Sequence, residues 1–435
     1  MPERFDVVVA GAGPAGASAA LVLARAGRSV CLLERGPYPG SKNMYGGVVY
    51  GRILDGLVPN WWEQAPVQRW VTRRGTMVMT DTQAIRLDVH SDAWGSPPYN
   101  GATALRPDFD RWLAQLARHA GAALVTSTTA TGLLRDGDGR VRGVRTDRPD
   151  GDLEADVVIA ADGVMSFLAK EAGLYPHGSD SSHFTLGAKE VLRLPRSQIE
   201  SRFGVTGMHG VAIEIVGGTG GVPGGGFIYT NLDSVAVGVV LSLDGLAASR
   251  RRPEEVIGDL KRHPAVEPLV AGGELLEYSG HLVPEGGFQM MPELATDGML
   301  VAGDAAAMTL AAGLYLEGVN FAIGSGAMAA AACVDALRKG DTSVEGLAGY
   351  RRRLERSFVL KDHRKYRRAP EILLAERTHA TYPQLVCGLA ERIFTVQNPA
   401  PKRGLIPLGR SEMRRAGVRL RDLARDAYIA ARTYG

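Results

Sequence analysis

The feature that most constrains the fold is a glycine-rich turn between an apolar segment and a helix-forming segment. Residues 5–10 form an apolar run suited to a buried parallel strand, and residues 14–26 carry Ala and Leu at helical spacing. Between them lies Gly11-Ala-Gly13-Pro-Ala-Gly16. In such a turn the first glycine permits the bend, the second lets a pyrophosphate approach, and the third allows close helix–strand packing. The pattern predicts a dinucleotide-binding strand, turn and helix.

A second strand is predicted at residues 28–34, and it ends in Glu34. A carboxylate at this position can accept hydrogen bonds from an adenosine ribose. Together with Pro14, Ala15 and Arg35, the turn and Glu34 form the first part of a predicted cofactor site. NAD and FAD proteins share this unit, so it does not identify the cofactor by itself.

Charge and cysteine content exclude several classes of function. The 435 residues include 50 basic and 47 acidic side chains, a near balance that does not indicate nucleic-acid binding. Only three cysteines occur, Cys31, Cys333 and Cys387, and they lie far apart. This spacing offers no disulfide framework, and with so few cysteines the chain is expected to hold no iron–sulfur cluster. Its sequence also shows no metal-ligand constellation, so no other metal site is expected.

Two later segments also place a carboxylate at the end of a predicted strand. Asp162-Gly163 ends a strand predicted at 153–161, and Gly303-Asp304 follows one predicted at 298–302. At the second junction a carboxylate can accept hydrogen bonds from ribityl hydroxyls, while the helix N-terminus that follows stabilises negative charge. Together with the first turn, these segments favour FAD as the cofactor.

The set of segments resembles the FAD-binding signatures of the glutathione-reductase-type flavoproteins, which include p-hydroxybenzoate hydroxylase and geranylgeranyl reductase. Arg106, which precedes a Phe-Asp-containing helix, matches the arginine of that group. The resemblance implies that Arg106 lies near the cofactor. It also implies an α/β plus antiparallel β class, with a glutathione-reductase-type FAD-binding fold, an inserted β-sheet substrate domain and a helical C-terminal region.

Segments outside these signatures resemble a narrower family, the electron transfer flavoprotein:quinone oxidoreductases of the FixC type. They lie at residues 40–47, 224–231, 281–287 with 291–293, and 382–387, and the similarity extends from near the N-terminus to about residue 430. If the family layout holds, the flavin ring lies near two groups of residues. They are Asn43, Gly46 and Gly47 in the first group, and Gly318, Val319 and Asn320 in the second.

The family resemblance implies electron transfer. FAD is expected to accept electrons from a reduced electron transfer flavoprotein and to pass them to a quinone, with assistance from a small ferredoxin-like iron–sulfur protein. Larger members of the family carry the cluster on the same chain, whereas the cysteine count here requires a separate subunit. No side chain is assigned a catalytic role, because an electron-transfer flavin needs no side-chain nucleophile.

The domain boundaries are predicted from the order of these segments. A discontinuous FAD-binding domain comprises residues 1–85, 100–183 and 295–343. A substrate or quinone domain comprises residues 86–99 and 184–294, and a helical region comprises residues 344–435. Within the substrate domain, the glycine run 217–226 is either a mobile flap or a plain hairpin connection.

Three other functions stay open at this stage. The same fold could serve a reductase or dehydrogenase of a lipid or specialised metabolite, which is a small-molecule substrate, or an aromatic monooxygenase. A non-catalytic FAD-binding scaffold within a larger complex is the third. The segments outside the FAD signatures favour electron transfer over these alternatives.

The chain is expected to be cytoplasmic. Its N-terminus shows no signal-peptide pattern, and no window reaches eighteen uninterrupted apolar residues. Basic residues are concentrated in the C-terminal third, where they form either a solvated surface or a contact face for an acidic protein or anionic lipid. Peripheral contact with the inner face of the membrane therefore stays open.

Overall fold

The computed structural model describes residues 3–42, 47–175, 180–313 and 316–435. The chain divides into two compact units. The first unit comprises Met1–Gln68, Asn100–His183 and Val283–Arg367, and the second comprises Arg69–Tyr99, Phe184–Leu282 and Arg368–Gly435. The helical C-terminal region is thus shared between the units. The predicted assignment of segments to FAD and to substrate stays a prediction.

The secondary structure alternates strands and helices through both units. The strands are β1 (Glu3–Ala10), β2 (Val30–Leu33), β3 (Gly47–Val49), β4 (Val67–Met79), β5 (Ala84–His90), β6 (Ala102–Ala104), β7 (Ala123–Val125), β8 (Ala130–Arg135), β9 (Val141–Thr146), β10 (Leu153–Ala160), β11 (Phe184–Arg193), β12 (His209–Gly217), β13 (Gly224–Thr230), β14 (Ser234–Ser242), β15 (Glu274–Pro284), β16 (Ala295–Thr296), β17 (Met299–Val301), β18 (Leu310–Ala311) and β19 (Leu316–Glu317). The helices are α1 (Pro14–Arg25), α2 (Arg106–His119), α3 (Phe167–Glu171), α4 (Arg196–Phe203), α5 (Leu243–Ser249), α6 (Pro253–Arg262), α7 (Glu267–Val270), α8 (Val319–Lys339), α9 (Val344–Leu347), α10 (Gly349–Arg356), α11 (Phe358–Lys365), α12 (Ala369–Leu373), α13 (Tyr382–Phe394), α14 (Leu405–Arg415) and α15 (Leu420–Tyr434).

The first unit is built on a largely parallel sheet with strand order β16-β17-β10-β1-β2-β7. Strand β1 runs parallel to both β2 and β10, and β10 runs parallel to β17. The register pairs Ala10 with Leu33 and Ala160, and Ala160 with Val301, so these strands end level with one another. Turns that follow the strands therefore meet at one edge of the sheet, where ligands bind in open parallel sheets.

Helix α8 packs closely against α1 in this unit. A Cβ atom on Gly326 of α8 would lie 2.0 Å from the carbonyl oxygen of Ala15, so only glycine fits there. By length and composition α8 could also cross a membrane, with a mean hydropathy of 1.3, and it is the one such helix among the described residues. However, 72% of its most apolar window is buried inside the protein, as in the core helix of a globular domain.

The second unit contains a sheet with strand order β15-β11-β14-β13-β12-β4, and β5 pairs with β4. The predicted antiparallel pairing is present between β11 and β14, β13 and β14, and β12 and β13. The sheet also contains one parallel pair, because β12 runs parallel to β4, a strand that the sequence did not predict. The glycine run 217–226 links antiparallel strands β12 and β13 as a hairpin connection. Its role as a flap is untested.

The C-terminal part of the chain is mostly helical, as the sequence indicates. One helix of this part, α14, begins at Leu405 although its third residue, Pro407, is a proline. Pro407 is compatible with this helix because it lies in the first turn, where backbone N–H groups have no intrahelical partner.

Candidate functional site

Three glycine-containing turns converge at the carboxyl edge of the parallel sheet of the first unit. A Cβ atom on Gly11 would lie 2.3 Å from the carbonyl oxygen of Ala161, beside Asp162. A Cβ atom on Gly303 would lie 2.9 Å from the Ala15 Cβ atom. The segments that begin at Gly11, Asp162 and Gly303 are therefore neighbours, although about 150 and 290 residues separate them from the first turn along the chain.

Two glycines of the first turn differ in how much space surrounds them. A Cβ atom on Gly16 would lie 1.8 Å from the Gly11 carbonyl oxygen, so Gly16 is needed for the turn itself. Gly13, the N-cap residue of α1, has no described atom within 4 Å of the position of its missing Cβ atom. The backbone is therefore open at Gly13, at the positive end of a twelve-residue helix, where a phosphate group fits.

Glu34 is held beside this turn by its own backbone contacts. Its two carboxylate oxygens accept hydrogen bonds from the Gly36 amide at 2.7 Å and the Ala12 amide at 3.3 Å. Burial raises the pKa of Glu34, and the hydrogen bonds from Gly36 and Ala12 act in the opposite direction. The neighbouring Arg35 is exposed. The carboxylate is thus positioned for a ribose hydroxyl, whereas the Arg35 side chain points to the surface.

Arg106 begins helix α2 and binds Asp110 through two parallel hydrogen bonds. Its Nε and Nη2 atoms each lie 2.8 Å from an Asp110 carboxylate oxygen. Burial disfavours the charge on Arg106, but the charge and hydrogen bonds of Asp110 outweigh burial and raise the pKa of the guanidinium. The charge of Asp304 adds to this effect. Arg106 therefore stays charged near the Gly303-Asp304 turn. Its Nε and Nη2 atoms are both hydrogen-bonded to Asp110.

Asp162 has a local structural role in addition to its place in the site. One of its oxygens accepts a hydrogen bond from the Ser166 hydroxyl at 2.7 Å, and Ser166 caps helix α3. Burial raises the pKa of Asp162, and the Ser166 hydrogen bond opposes that rise. Gly163 follows with a φ of 85°, a conformation that favours glycine.

Asp304 lies in a short turn that two other side chains support. The hydroxyl of Thr309 donates to an Asp304 carboxylate oxygen at 3.3 Å, and the Tyr175 hydroxyl donates to the Ala305 carbonyl at 2.6 Å. Burial and the charges of Asp162 and Asp304 raise the pKa of Tyr175, so its hydroxyl remains a donor. The Gly303 amide donates to the hydroxyl of Ser325 at 3.0 Å.

Sequence reasoning did not identify Tyr175, Thr309 or Ser325 as part of the site. Tyr175 and Ala305 are 130 residues apart, and no local pattern joins them. Ser325 did have a signal, because it lies between Gly324 and Gly326 in a stretch of small residues that is typical of close helix packing.

The N-terminus of α8 supplies the last described group of predicted residues. Gly318 is the N-cap residue and Val319 begins the helix. The Asn320 side chain is 8% exposed and donates to Glu317, but its Oδ1 atom has no hydrogen-bond partner among the described residues. The Ser41 hydroxyl is likewise buried without a partner in the described part of the chain. Buried polar atoms of this kind are normally satisfied, so both are candidates to bind a ligand.

The predicted residues Asn43 and Gly46 lie outside the described residues. Gly47 begins β3 and pairs with Ala104 of β6. In the described part of the chain, no group of three His, Cys, Asp or Glu side chains is arranged to hold a metal ion.

The residues present fit FAD. The space at Gly13 and the α1 N-terminus suit a pyrophosphate, Glu34 and Asp304 suit hydroxyl groups, and the partnerless atoms of Ser41 and Asn320 offer further polar contacts.

Comparison with known proteins agrees with this chemistry. Residues 4–201 match the FAD binding domain family. The probable electron transfer flavoprotein-quinone oxidoreductase YdiS of Escherichia coli strain K12 is 40% identical, with 91% of each chain covered. Protein FixC of the same strain is 41% identical, with 92% of each chain covered. Protein FixC of Bradyrhizobium diazoefficiens is 40% identical over 91% of both chains.

Two solved structures share the fold. A geranylgeranyl bacteriochlorophyll reductase-like protein from Thermoplasma acidophilum superposes with a TM-score of 0.72 at 21% identity, covering 96% of this chain and 100% of that one. The flavin-dependent brominase Bmp2 gives a TM-score of 0.67 at 16% identity, with 93% of each chain covered. At these identities the two structures bear on the fold alone.

Proposed function

The chain belongs to the FixC and YdiS family of FAD-dependent oxidoreductases, and we propose that it passes electrons from a reduced electron transfer flavoprotein to a quinone. When bound, FAD supplies the two-electron redox centre of this reaction. The observation that carries the proposal is the convergence of the three turns at Gly11, Asp162 and Gly303, combined with family similarity along nearly the whole chain.

The residues of this chain bind and orient the cofactor in the proposed mechanism. The amides at the α1 N-terminus, beside Gly13, bind the pyrophosphate, and Glu34 accepts a hydrogen bond from the adenosine ribose. Asp304 accepts from the ribityl chain, with its turn held by Tyr175 and Thr309. Burial of these groups excludes water and strengthens each contact.

The N-terminus of α8 is the proposed electrostatic element. This helix has 21 residues, and its positive end begins at Gly318 and Val319. A helix N-terminus stabilises negative charge that develops on a group bound there. Asn320, whose Oδ1 atom lacks a described partner, is proposed to orient the same group.

The two units are proposed to have different functions. The first unit is proposed to be a glutathione-reductase-type FAD-binding domain, and the second to bind the quinone on its largely antiparallel sheet. In this proposal Asn43, Gly46 and Gly47 also lie along the flavin ring.

A separate ferredoxin-like iron–sulfur protein is proposed as a further partner. All three cysteines are buried and none is bonded to another. Burial raises the pKa of Cys31 and of Cys333 to about 12, which disfavours the thiolate that a cluster needs. An iron–sulfur centre in the electron route would therefore belong to another chain.

A cytoplasmic location with contact to the inner face of the membrane is proposed from one surface segment. Residues 393–406, here called the apolar segment, expose five large apolar side chains and two basic ones. These are Ile393, Phe394, Val396, Leu405, Ile406, Lys402 and Arg403. Apolar side chains bordered by basic ones are typical of proteins that bind anionic lipid surfaces, where a quinone dissolved in the bilayer would be accessible.

The proposal is tested with the FAD-loaded protein in anaerobic stopped-flow experiments. We expect the flavin absorbance near 450 nm to bleach when reduced electron transfer flavoprotein from the same cell is added. It should recover when a short-chain quinone analogue follows. Absence of both changes would refute the proposal. Bleaching by a lipid or metabolite without any partner protein would instead indicate a small-molecule reductase.

A further inference from the structure

A strongly basic surface lies on two helices of the first unit. Residues 349–367, which contain α10 and α11, carry eight basic and two acidic side chains, whereas the whole chain has a net charge of only +3. Five of the eight are exposed and form no ion pair with another described residue. They are Arg352, Arg356, Lys361, Lys365 and Arg367, here called the basic face.

The other three basic side chains of these residues form ion pairs, but the carboxylates involved are too few to neutralise the surface. Glu355 is shared by Arg351 at 3.4 Å and Arg364 at 2.9 Å, so one carboxylate serves two guanidinium groups. Arg353 pairs with Asp335 at 2.5 Å, and Arg351 has a second, longer contact with Glu293 at 3.7 Å. An ordinary solvated helix face carries mixed charges. In α6 and the residues before it, for example, each of the basic residues from 251 to 262 forms an ion pair with a carboxylate.

The two helices are anchored to the candidate cofactor site. The buried Tyr350 hydroxyl of α10 donates to the Val301 carbonyl at 2.9 Å, at the end of the strand that leads to Gly303. On α11, Phe358 and His363 lie 5.2 and 4.7 Å from Phe321, measured between ring centroids. Phe321 follows Asn320 in the first turn of α8. The basic face therefore lies on helices that contact the elements holding the cofactor residues.

The composition of the face favours a protein over a lipid surface. Within residues 349–367, all of which are described, no large apolar side chain is exposed. A membrane-binding surface combines charge with apolar side chains that enter the bilayer, as on the apolar segment. Short-lived complexes between redox proteins instead use small interfaces in which complementary charge accelerates association.

From these observations we propose that the basic face is the docking surface for an acidic patch on the electron-donating flavoprotein, an inference that rests on the proposed function. The exposed Arg and Lys side chains attract the acidic partner and orient it beside the helices that contact the cofactor site. No new bond forms, and the electrons travel from the bound partner to the flavin.

The test compares two charge-reversal variants in the full-length, FAD-loaded protein. The first carries Arg352→Glu, Arg356→Glu, Lys361→Glu and Lys365→Glu. The control carries Arg410→Glu, Arg414→Glu, Arg419→Glu and Arg425→Glu, four exposed residues of the second unit that lie outside the apolar segment and also form no ion pair among described residues. Both variants change the net charge equally. Retained FAD and an unchanged melting temperature establish that each is folded.

Binding to the purified electron transfer flavoprotein of the same cell is measured at low and high salt. We expect the association rate of the basic-face variant to fall about tenfold or more at low ionic strength, while the control changes less than about twofold. The difference should nearly vanish at about 0.5 M salt, because the Debye length is then only a few Å.

Three outcomes would overturn the proposal. The basic-face variant could associate as fast as the unaltered protein, the unaltered protein could fail to bind the flavoprotein in a salt-dependent way, or the face could bind phosphatidylglycerol vesicles and lose that binding in the variant. Salt-dependent binding that depends on the face but gives no flavin bleaching would support the docking surface and refute the proposed function instead.

Discussion

Two glycines only three positions apart in the first turn have different structural requirements. Gly16 has no space for a Cβ atom, because the Gly11 carbonyl oxygen would lie 1.8 Å away. Gly13 has free space and a φ of −71°, which any residue can adopt. A shared glycine motif therefore combines a residue required by the fold with one required by the ligand.

The first prediction separates these two roles. We expect Gly16→Ala to destabilise the protein by about 1–3 kcal/mol, since the backbone must shift to relieve the clash. Gly13→Ala should cost at most about 1 kcal/mol of stability. It should weaken FAD binding about tenfold or more, because the methyl group occupies the space at the helix N-terminus. Urea unfolding of the apoprotein and FAD titration would measure both effects, and equal stability losses would contradict the distinction.

The second prediction concerns the pH dependence of Glu34. Burial raises its pKa in the folded state above the ordinary value of 4.5, so the folded apoprotein holds the Glu34 proton more tightly than the unfolded chain does. This contribution to stability is fully present below pH 4.5 and is lost as pH rises through the folded-state pKa. We expect the unaltered apoprotein to lose stability relative to Glu34→Gln as pH rises from 4.5 through the folded-state pKa of Glu34. A pH-independent difference between their unfolding free energies would contradict it.

At the scale of elements, the sequence predicts local units well and long-range pairings poorly. Strand β1, the turn and helix α1 are confirmed, because hydrophobic period, glycine spacing and helix start all lie within 25 residues. Strand β4 was not predicted, since its sequence contains Arg69, Arg73 and Arg74. Arg69 is fully buried and donates to the carbonyl oxygens of Asn231, Gly207 and His209. These acceptors are about 140 to 160 residues away, so no local pattern indicates that a charged residue is accommodated in the strand.

In the candidate site, too, local patterns were predicted and long-range contacts were missed. The carboxylates Glu34, Asp162 and Asp304 follow strands and were found from that context. The tyrosine that supports the Asp304 turn was missed, because the carbonyl to which it donates lies 130 residues away and no local pattern joins the two. Residue types with a definite position relative to a strand are predictable, whereas supporting contacts depend on how the elements pack.

The third prediction tests how α10 is attached to strand β17. Tyr350→Phe removes the hydroxyl that donates to the Val301 carbonyl and leaves a buried acceptor without this donor. We expect a loss of about 1–3 kcal/mol in unfolding free energy. Tyr428→Phe is the matched control, because Tyr428 is 59% exposed and should change stability by less than about 0.5 kcal/mol. A loss no larger than in the control would show that this bond does not anchor the helix.

At the scale of the whole molecule, two surfaces of different chemistry lie in different units. The basic face belongs to the first unit and is charged without exposed apolar side chains, whereas the apolar segment belongs to the second unit. Their compositions suit different partners. Sequence alone did not separate them, because both appear as basic stretches of the C-terminal third and only the exposure of each side chain distinguishes them.

The fourth prediction concerns the apolar segment. Phe394 and Ile406 are 83% and 71% exposed, and their insertion into a bilayer should contribute a few kcal/mol to vesicle binding. We expect the double variant Phe394→Asp and Ile406→Asp to bind phosphatidylglycerol vesicles at least about tenfold more weakly. Leu275→Asp and Leu276→Asp, at residues 54% and 41% exposed on β15, form the control. Equal binding by the two double variants would count against the segment, and flotation assays would measure it.

The three buried cysteines have a practical consequence for studying how the protein unfolds. Cys31 and Cys333 lie in the first unit and Cys387 lies in the second. Because a thiol reagent reacts with an exposed thiolate, each cysteine becomes labelled only when its surroundings open. Alkylation followed by mass spectrometry would therefore report, without any introduced probe, whether the two units open together or one before the other.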